Sequence, residues 1–357
     1  MLEISLIFCV LALVITIINV FSIITPRAAG QINQKISVLV PLRNEEENAI
    51  AIVETLAAQE KLMDVEFLIL NDNSTDKTLE IVTATARGDS RFKVMQGSAL
   101  PEGWLGKPWA LEQLSQNARG EVLICIDADV RLSTKAIAAA IVSMHKHSLD
   151  FFSPYPSQVA RTFGERMIQP LLQWSWLSSV PLALAKRSSN PSFAVANGQF
   201  FAVKKSALLH SGGYASIKSE VLDDMQMARV LLRNRFKGTV GNGALIAQCH
   251  MYSSWSELRN GYAKSLWKGF GGVFGSIIAI ALLVLTGIIP IMSAAMGSPF
   301  GWLAFEAVLV SRLISAKITR ANLFDSLLHP ISSALLIYLI IYSWLMRGRI
   351  QWKGRTV

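Results

Sequence analysis

The stretch Lys35–Gln59, KISVLVPLRNEEENAIAIVETLAAQ, passes from a near-continuous apolar run, Ile36–Val40, through a polar turn into a segment of helical spacing. A short apolar run closed by such a turn predicts a strand buried on both faces. The acids Glu45, Glu46 and Glu47 fall in the first turn of the helix that follows, where they complement its dipole. The same grammar repeats in VEFLILNDNSTDKTLEIVTATAR (65–87), again strand, Asx-rich turn and helix. A third strand is expected around Lys93–Met95, then a helix near Trp109–Ala118, and EVLICIDADV (121–130) supplies a fourth strand. Alternating buried strands and helices predict an α/β fold with a mostly parallel, Rossmann-like sheet flanked by helices. Ligands of such sheets lie beyond the carboxyl ends of the strands.

Those ends are polar: PLRNEE after the first strand, NDNSTD after the second and DADV after the fourth. Ser74, Thr75 and Asp76 are read as turn and cap residues, the ordinary use of such side chains. Asp127 and Asp129 are different. In extended chain, residues two apart point to one side, so both carboxylates face one small volume. Unpaired burial of such charges costs several kcal/mol. A divalent cation resolves the conflict, and ligands that are all oxygen favour Mg²⁺ or Mn²⁺. Open coordination positions on that cation suit a diphosphate.

The chain has 357 residues, 52% of them hydrophobic, with a formal charge of +9 and a mean hydropathy of +0.39. Apolar runs at Leu2–Ile24 and Gly272–Met296 each approach the roughly 20 residues that cross a bilayer. The first is read as an anchor, since it begins with Glu3 in place of a basic leader region and lacks a small-residue cleavage site. Arg27 and Lys35 follow it, which predicts a cytosolic location for the middle of the chain. The division expected is an anchor (1–26), a cytosolic catalytic domain (35–265), a C-terminal membrane region (270–346) and a basic cytosolic tail (347–357). In the membrane region, Glu306 and Arg312 make PFGWLAFEAVLVSRLISA (299–316) a poor lipid-facing helix that either packs against a neighbour or lies at the interface, and the count favoured is two spans with this segment interfacial or re-entrant. The result is a multi-pass protein of the cytoplasmic membrane.

Positive charge fits an anionic leaflet. No zinc-finger spacing, RNP-like run or basic helix points to nucleic acid. Cys9, Cys125 and Cys249 lie far apart and form no disulfide framework. The five histidines show no metal-ligand spacing, and His250 is read as a packing or surface residue. QPLLQWSWLSSVPLALAK (169–186) is either a core stripe or a floor for an apolar acceptor.

Taken in order, PLRNEEENA, NDNSTDKT and DADV resemble the motifs of glycosyltransferase family 2, whose fold is called GT-A. GWLGKPWAL (103–111), MYSSWSELRNGYAKS (251–265) and QWKGR (351–355) are similar to stretches of its membrane-anchored carotenoid and hopanoid branch. The resemblance implies a nucleotide-sugar donor, a UDP-hexose, with Pro41, Arg43, Asn44 and Glu45 lining the nucleotide pocket and Asp72 holding the base. It also implies Lys107 near the base or diphosphate, and Asp127 and Asp129 at the metal and ribose. The family's acidic pair ahead of a helix is matched by VLDDMQMARVLLRNRFKG (221–238), which implies Asp224 as the base that deprotonates the acceptor, beside Asp223. Asn197, Gly198 and Gln199 match a segment on the acceptor side. An Arg-Trp motif of the polymerising members is missing; ELRNGYAKSLWKG (257–269) offers Lys264 and Trp267 in its place.

These readings converge on an inverting, metal-dependent glycosyltransferase that uses Mg²⁺ or Mn²⁺ and a lipid acceptor at the membrane. The rivals are a polyprenyl-phosphate glycosyltransferase, which keeps Arg161, Arg166, Lys186 and Arg187 as a basic cluster, and a polysaccharide synthase. A non-catalytic scaffold of the same fold is a rival of another class, and it would be expected to have lost the acids.

Overall fold

The apolar runs that predict strands do form them. The computed structural model describes residues 1–27 and 30–349, and the backbone alone of 351–352 and 355–356. Residues 350, 353, 354 and 357 of the expected basic tail lie outside the described residues. The chain divides into two compact units, one of residues 24–157 and 184–249, the other of 1–23, 158–183 and 250–357. The first apolar helix, α1 (Leu2–Ser22), belongs to the same unit as the C-terminal helices.

The sheet unit begins with β1 (Ile32–Leu42), α2 (Glu46–Ala57), β2 (Leu62–Asn71), α3 (Thr78–Thr85) and β3 (Phe92–Gln96). It continues through α4 (Gly106–Asn117), β4 (Val122–Ile126), β5 (Val130–Leu132), α5 (Ala136–Lys146), β6 (Phe151–Tyr155) and the short β7 (Ser157–Gln158). After α6 (Phe163–Leu177) and α7 (Leu182–Ala185) come β8 (Phe200–Lys204), α8 (Lys205–His210), α9 (Asp223–Arg233), β9 (Gly238–Asn242) and β10 (Ala247–Cys249). Seven strands form one sheet in the order β3-β2-β1-β4-β8-β6-β9.

Strands β3, β2, β1 and β4 are parallel, with Val38 opposite both Phe67 and Ile124. Strand β8 runs antiparallel to β4 and β6, and β6 pairs in parallel with β9. The mostly parallel sheet is therefore mixed at its centre. Apolar side chains such as Ile36, Leu39, Phe67, Phe152 and Phe200 are fully buried in it. Each buried side chain of this size contributes about 1.5–3 kcal/mol by leaving water. The chain runs from β1 outward to β3 and then returns to place β4 on the other side of β1, so the strand order reverses between β1 and β4. In open α/β sheets the crevice at such a reversal is where ligands sit.

The helical unit adds α10 (Trp255–Ala263), α11 (Leu266–Gly269), α12 (Gly272–Leu283), α13 (Ile289–Ala295), α14 (Pro299–Thr319) and α15 (His329–Leu345). Among the described residues four helical stretches are long and apolar enough to cross a bilayer: Leu2–Ser22, Gly272–Ala295, Pro299–Thr319 and Leu323–Leu345. The second contains a π turn at Val284–Ile288, just ahead of Pro290, whose missing N–H interrupts the regular ladder. The third, α14, is one unbroken helix of 21 residues. Its Arg312 is turned into the unit at 2% exposure, so that charge does not face outward.

Helix α1 is tied into this unit by polar groups. Thr16 Oγ1 lies 2.8 Å from Ser311 Oγ of α14. Asn19 Nδ2 donates to the carbonyls of Leu177 and Val180, both at 2.7 Å, and its Oδ1 accepts from Leu182 N–H at 2.9 Å.

Candidate active site

The polar turns after β1 and β2 are laced to each other. Arg43 Nη1 donates to the carbonyls of Asp72 and Asn73 at 2.6 and 3.1 Å. Asn44 has a left-handed φ of 51°, a conformation Asn tolerates better than most residues. Its N–H donates to Ser74 Oγ at 3.0 Å and its Oδ1 accepts from Thr75 N–H at 2.9 Å. Glu45 N–H donates to Thr78 Oγ1 at 2.8 Å. Ser74, Thr75 and Asp76 thus serve as turn and cap residues. Burial raises the Asp76 carboxyl, but hydrogen bonds from Thr78 and from Glu46 N–H outweigh it and hold the pKa below the usual range. Pro41 lies in β1 opposite Leu70, and Asp72 is buried with its N–H on Leu42 O at 2.7 Å.

Past β4 the chain leaves the strand, which corrects the geometry assumed for the two aspartates. Strand β4 ends at Ile126, and Val130 N–H returns to Asp127 O at 3.2 Å, so Asp127-Ala128-Asp129 is a tight turn and not extended chain. The charges nevertheless stay close enough to interact. Burial, Asp127 and Glu45 push the Asp129 carboxyl up to about 7. Its Oδ1 is buried with no hydrogen-bond partner among the described residues.

Lys107, near the start of α4, joins this turn to the second acidic pair. Its Nζ lies 2.7 Å from Asp127 Oδ1 and 3.9 Å from Asp223 Oδ2. Burial alone would lower its pKa, but Asp127, Asp223 and Asp224 outweigh burial and keep it protonated. Asp223 and Asp224 open α9, so an acidic first turn and a place in the site coincide. Asp224 Oδ2 accepts from Gly198 N–H at 2.6 Å and Oδ1 from Met225 N–H at 2.7 Å. Burial first, then Asp223, push its carboxyl up to about 6 against the opposing pull of Lys107.

The segment before β8 completes the arrangement. Asp127 N–H donates to Gln199 O at 3.3 Å, and Asn197 Oδ1 accepts from Gln199 N–H at 2.7 Å. A methyl group on Gly198 would lie 2.9 Å from Lys107 Nζ and in ordinary contact, 3.5 Å, with the Asp224 carboxylate, so a side chain there would displace the Lys107 ammonium. Asn197, Gly198, Gln199, Lys107, Asp127, Asp223 and Asp224 are therefore brought together.

Lys264 and Trp267 are not in this unit. Trp267 Nε1 donates to Lys264 O at 3.0 Å, and its ring packs 6.0 Å from Trp344 and 4.5 Å beneath the Arg347 guanidinium. His250 Nε2 lies 3.6 Å from Oε1 of the buried Glu165.

Two neighbours of the site carried no weight in the sequence. Arg131 Nη2 donates to Asn48 Oδ1 at 2.7 Å, and Asn48 Nδ2 donates to Glu45 Oε2 at 3.0 Å, which links the DADV turn to the loop after β1. Tyr155, at the end of β6, hydrogen-bonds Asn197; burial, with Asp224 adding to it, keeps its phenol neutral. Arg131 stood in plain view four residues after Asp127, but Tyr155 had no local signal.

The donor set admits a divalent cation. Asp129 Oδ1 is an orphaned, buried acceptor, and burial first, then repulsion from Asp127 and Glu45, raise its carboxyl, a cost that a cation would relieve. Among the described residues no three His, Cys, Asp or Glu side chains gather as a ligand group.

Residues 37–211 match the model of glycosyl transferase family 2. The chain is 24% identical over 341 residues to a 4,4'-diaponeurosporenoate glycosyltransferase of Staphylococcus haemolyticus, an alignment covering 91% of this chain and 89% of that one. A shorter match of 34% over 106 residues, 28% of this chain and 21% of the relative, is to a beta-monoglucosyldiacylglycerol synthase of Nostoc sp.. Among solved structures, the mannosyltransferase PcManGT from Pyrobaculum calidifontis, in complex with GDP-Man and Mn²⁺, superposes with a TM-score of 0.56 at 18% identity. That likeness covers 95% of this chain and 99% of the other, and shows a shared GT-A fold.

Proposed function

The chain belongs to glycosyltransferase family 2, and from that premise we propose a membrane-bound, inverting enzyme that moves a hexosyl group from a nucleoside-diphosphate sugar to a lipid acceptor. The observation that carries this reading is Lys107, held between Asp127 at 2.7 Å and Asp223 at 3.9 Å at the carboxyl edge of the sheet, with Asp224 beside it. One cation is thereby shared between the acids assigned to the donor and those assigned to the acceptor.

In this reading Pro41, Arg43, Asn44, Glu45 and Asp72 form the nucleotide side of the crevice between β1 and β4. Asp127 and Asp129 would hold Mg²⁺ or Mn²⁺, which when bound supplies charge stabilisation to the diphosphate. Lys107 stays protonated because of its acidic neighbours, and it moves toward the leaving diphosphate as negative charge develops there. Such stabilisation in a site shielded from water is usually the largest single catalytic term.

Asp224 takes the proton of the acceptor hydroxyl or carboxyl. The two backbone N–H groups orient its carboxylate, and each oxygen keeps a lone pair for the incoming proton. A single base acting in line, with no covalent sugar intermediate, inverts the anomeric centre. The lipid acceptor is supported by four helices of membrane-crossing length and by the names of the curated relatives. A polyprenyl-phosphate acceptor is less favoured, because Arg166 of the expected basic cluster is already neutralised by Asp325 at 2.5 Å.

The test is release of nucleoside diphosphate by the purified full-length chain with Mn²⁺ or Mg²⁺, a panel of nucleotide sugars and membrane lipid extract. Wild type is expected to release it and Asp129→Asn to fail. Equal release by both would overturn the metal assignment, and no release with any donor would favour a scaffold.

A further inference from the structure

One charge in the helical unit has no counterpart. Arg312 of α14 is 2% exposed, and its Nε and Nη1 meet no hydrogen-bond acceptor among the described residues. Its guanidinium carbon lies 5.9 Å from the centre of the Trp174 ring of α6. That ring in turn meets the fully buried His329 of α15 edge-on at 5.1 Å. Trp174 Nε1 donates to Ser311 Oγ at 2.7 Å, which fixes the indole beside α14.

The acid near this group is already engaged. Asp325 accepts from Arg166 Nε through both oxygens at 3.1 Å and from Arg166 Nη2 through Oδ1 at 2.5 Å. Glu306, the acid on α14 itself, is exposed. Two arginines thus face one buried carboxylate, and one positive charge is left over. A buried ion whose partner is missing is strongly destabilising, and an ionisable group inside a membrane helix is by default a candidate functional site. An aromatic ring contributes only a modest cation–π attraction, about 0.5–2 kcal/mol. A guanidinium fork is suited to a carboxylate or a phosphate oxygen.

We propose that Arg312, flanked by Trp174 and His329, is a binding site for the headgroup of a membrane lipid that carries one negative charge. The ligand supplies the missing acceptor, and its apolar tail extends along the helices. A long-chain carboxylate and a phosphodiester lipid share this chemistry. The inference is independent of the donor site, because it concerns a separate group of residues and binding without sugar transfer.

The experiment uses the full-length protein in neutral detergent without sugar nucleotide, and reads lipid retention by native mass spectrometry together with thermal unfolding. Oleate is compared with oleyl alcohol, and dioleoyl phosphatidylglycerol with dioleoyl phosphatidylcholine. Wild type is expected to retain the anionic member of at least one pair and to unfold at higher temperature with it. Preference for oleate names a carboxylate lipid, and preference for phosphatidylglycerol names the phosphodiester. Arg312→Met removes the unpaired charge at similar length, so it should fold at least as well without lipid while binding the anionic probe at least about tenfold more weakly. Arg312→Lys, which keeps the charge and loses the fork, should fall between them and serves if the methionine variant misfolds. Equal retention of anionic and neutral probes by wild type would overturn the proposal, as would an unchanged preference in Arg312→Met, which would leave only water on the guanidinium.

Discussion

Asp224 combines two opposing influences. Burial and Asp223 raise its carboxyl to about 6, while Lys107 and two N–H donors favour the ionised form. As the base proposed above, Asp224 would act as the carboxylate, so protonation below that value would silence it. The rate kcat/KM is expected to rise about tenfold per pH unit on the acid side, bend near pH about 6 and stay flat above, read from initial rates at saturating metal. In Asp223→Asn the like charge is gone, so the bend should move to lower pH. Asp224→Asn keeps a similar shape without a base, and a fall in kcat of roughly 10²–10⁴-fold with little change in donor KM is expected. The acids themselves were legible, because two aspartates one residue apart and a second pair ahead of a helix are conspicuous in sequence. Their relation to Lys107 was not, since residues 107, 127 and 223 meet only through the fold.

At the scale of elements, the strands were legible because Ile36–Val40 and Phe67–Leu70 are buried on both faces and read as near-continuous apolar runs. The geometry of the DADV turn was not, because the apolar pattern does not say where β4 stops. Backbone pairing ends at Ile126, and the turn closes through Asp127 O. The segment before β8 gives a test at this scale. Gly198→Ala would place a methyl 2.9 Å from Lys107 Nζ. The cation must shift, and misplacement of that order costs up to about 10²-fold in rate. The expected outcome is a loss of kcat with unchanged unfolding temperature. At the start of α6, Thr162 and Glu165 form a reciprocal cap. Thr162→Ala is expected to cost about 1 kcal/mol, measured by thermal unfolding in detergent.

For the whole molecule, the N-terminal helix is the informative case. Read alone it is an apolar run of anchor length, and its Asn19 looks like a polar residue at the edge of a span. In the fold Asn19 satisfies two carbonyls and one N–H near the end of α6. Asn19→Ala strips partners from all three, and each buried group left unsatisfied costs about 1–3 kcal/mol. A marked drop in unfolding temperature, with the donor chemistry of any folded fraction unchanged, is the expected result. Helix α14 makes a related point, since its charges left packing against a neighbour and a place at the interface both open. Arg312 is buried against Trp174, and outward polarity could not be inferred from composition alone.

By itself the sequence determined the alternation of strand and helix, the carboxyl-edge position of the polar turns, the two acidic pairs and the stretches long enough to cross a membrane. Each of these follows from local periodicity or from the chemistry of neighbouring residues. Only the tertiary structure decided that β8 enters the sheet antiparallel, that Lys107 lies between the two acidic pairs and that Arg312 is buried with no hydrogen-bond acceptor for its Nε and Nη1 among the described residues. Those facts depend on which distant segments pack together, and burial and Coulomb interactions act through space between groups that the linear order keeps apart.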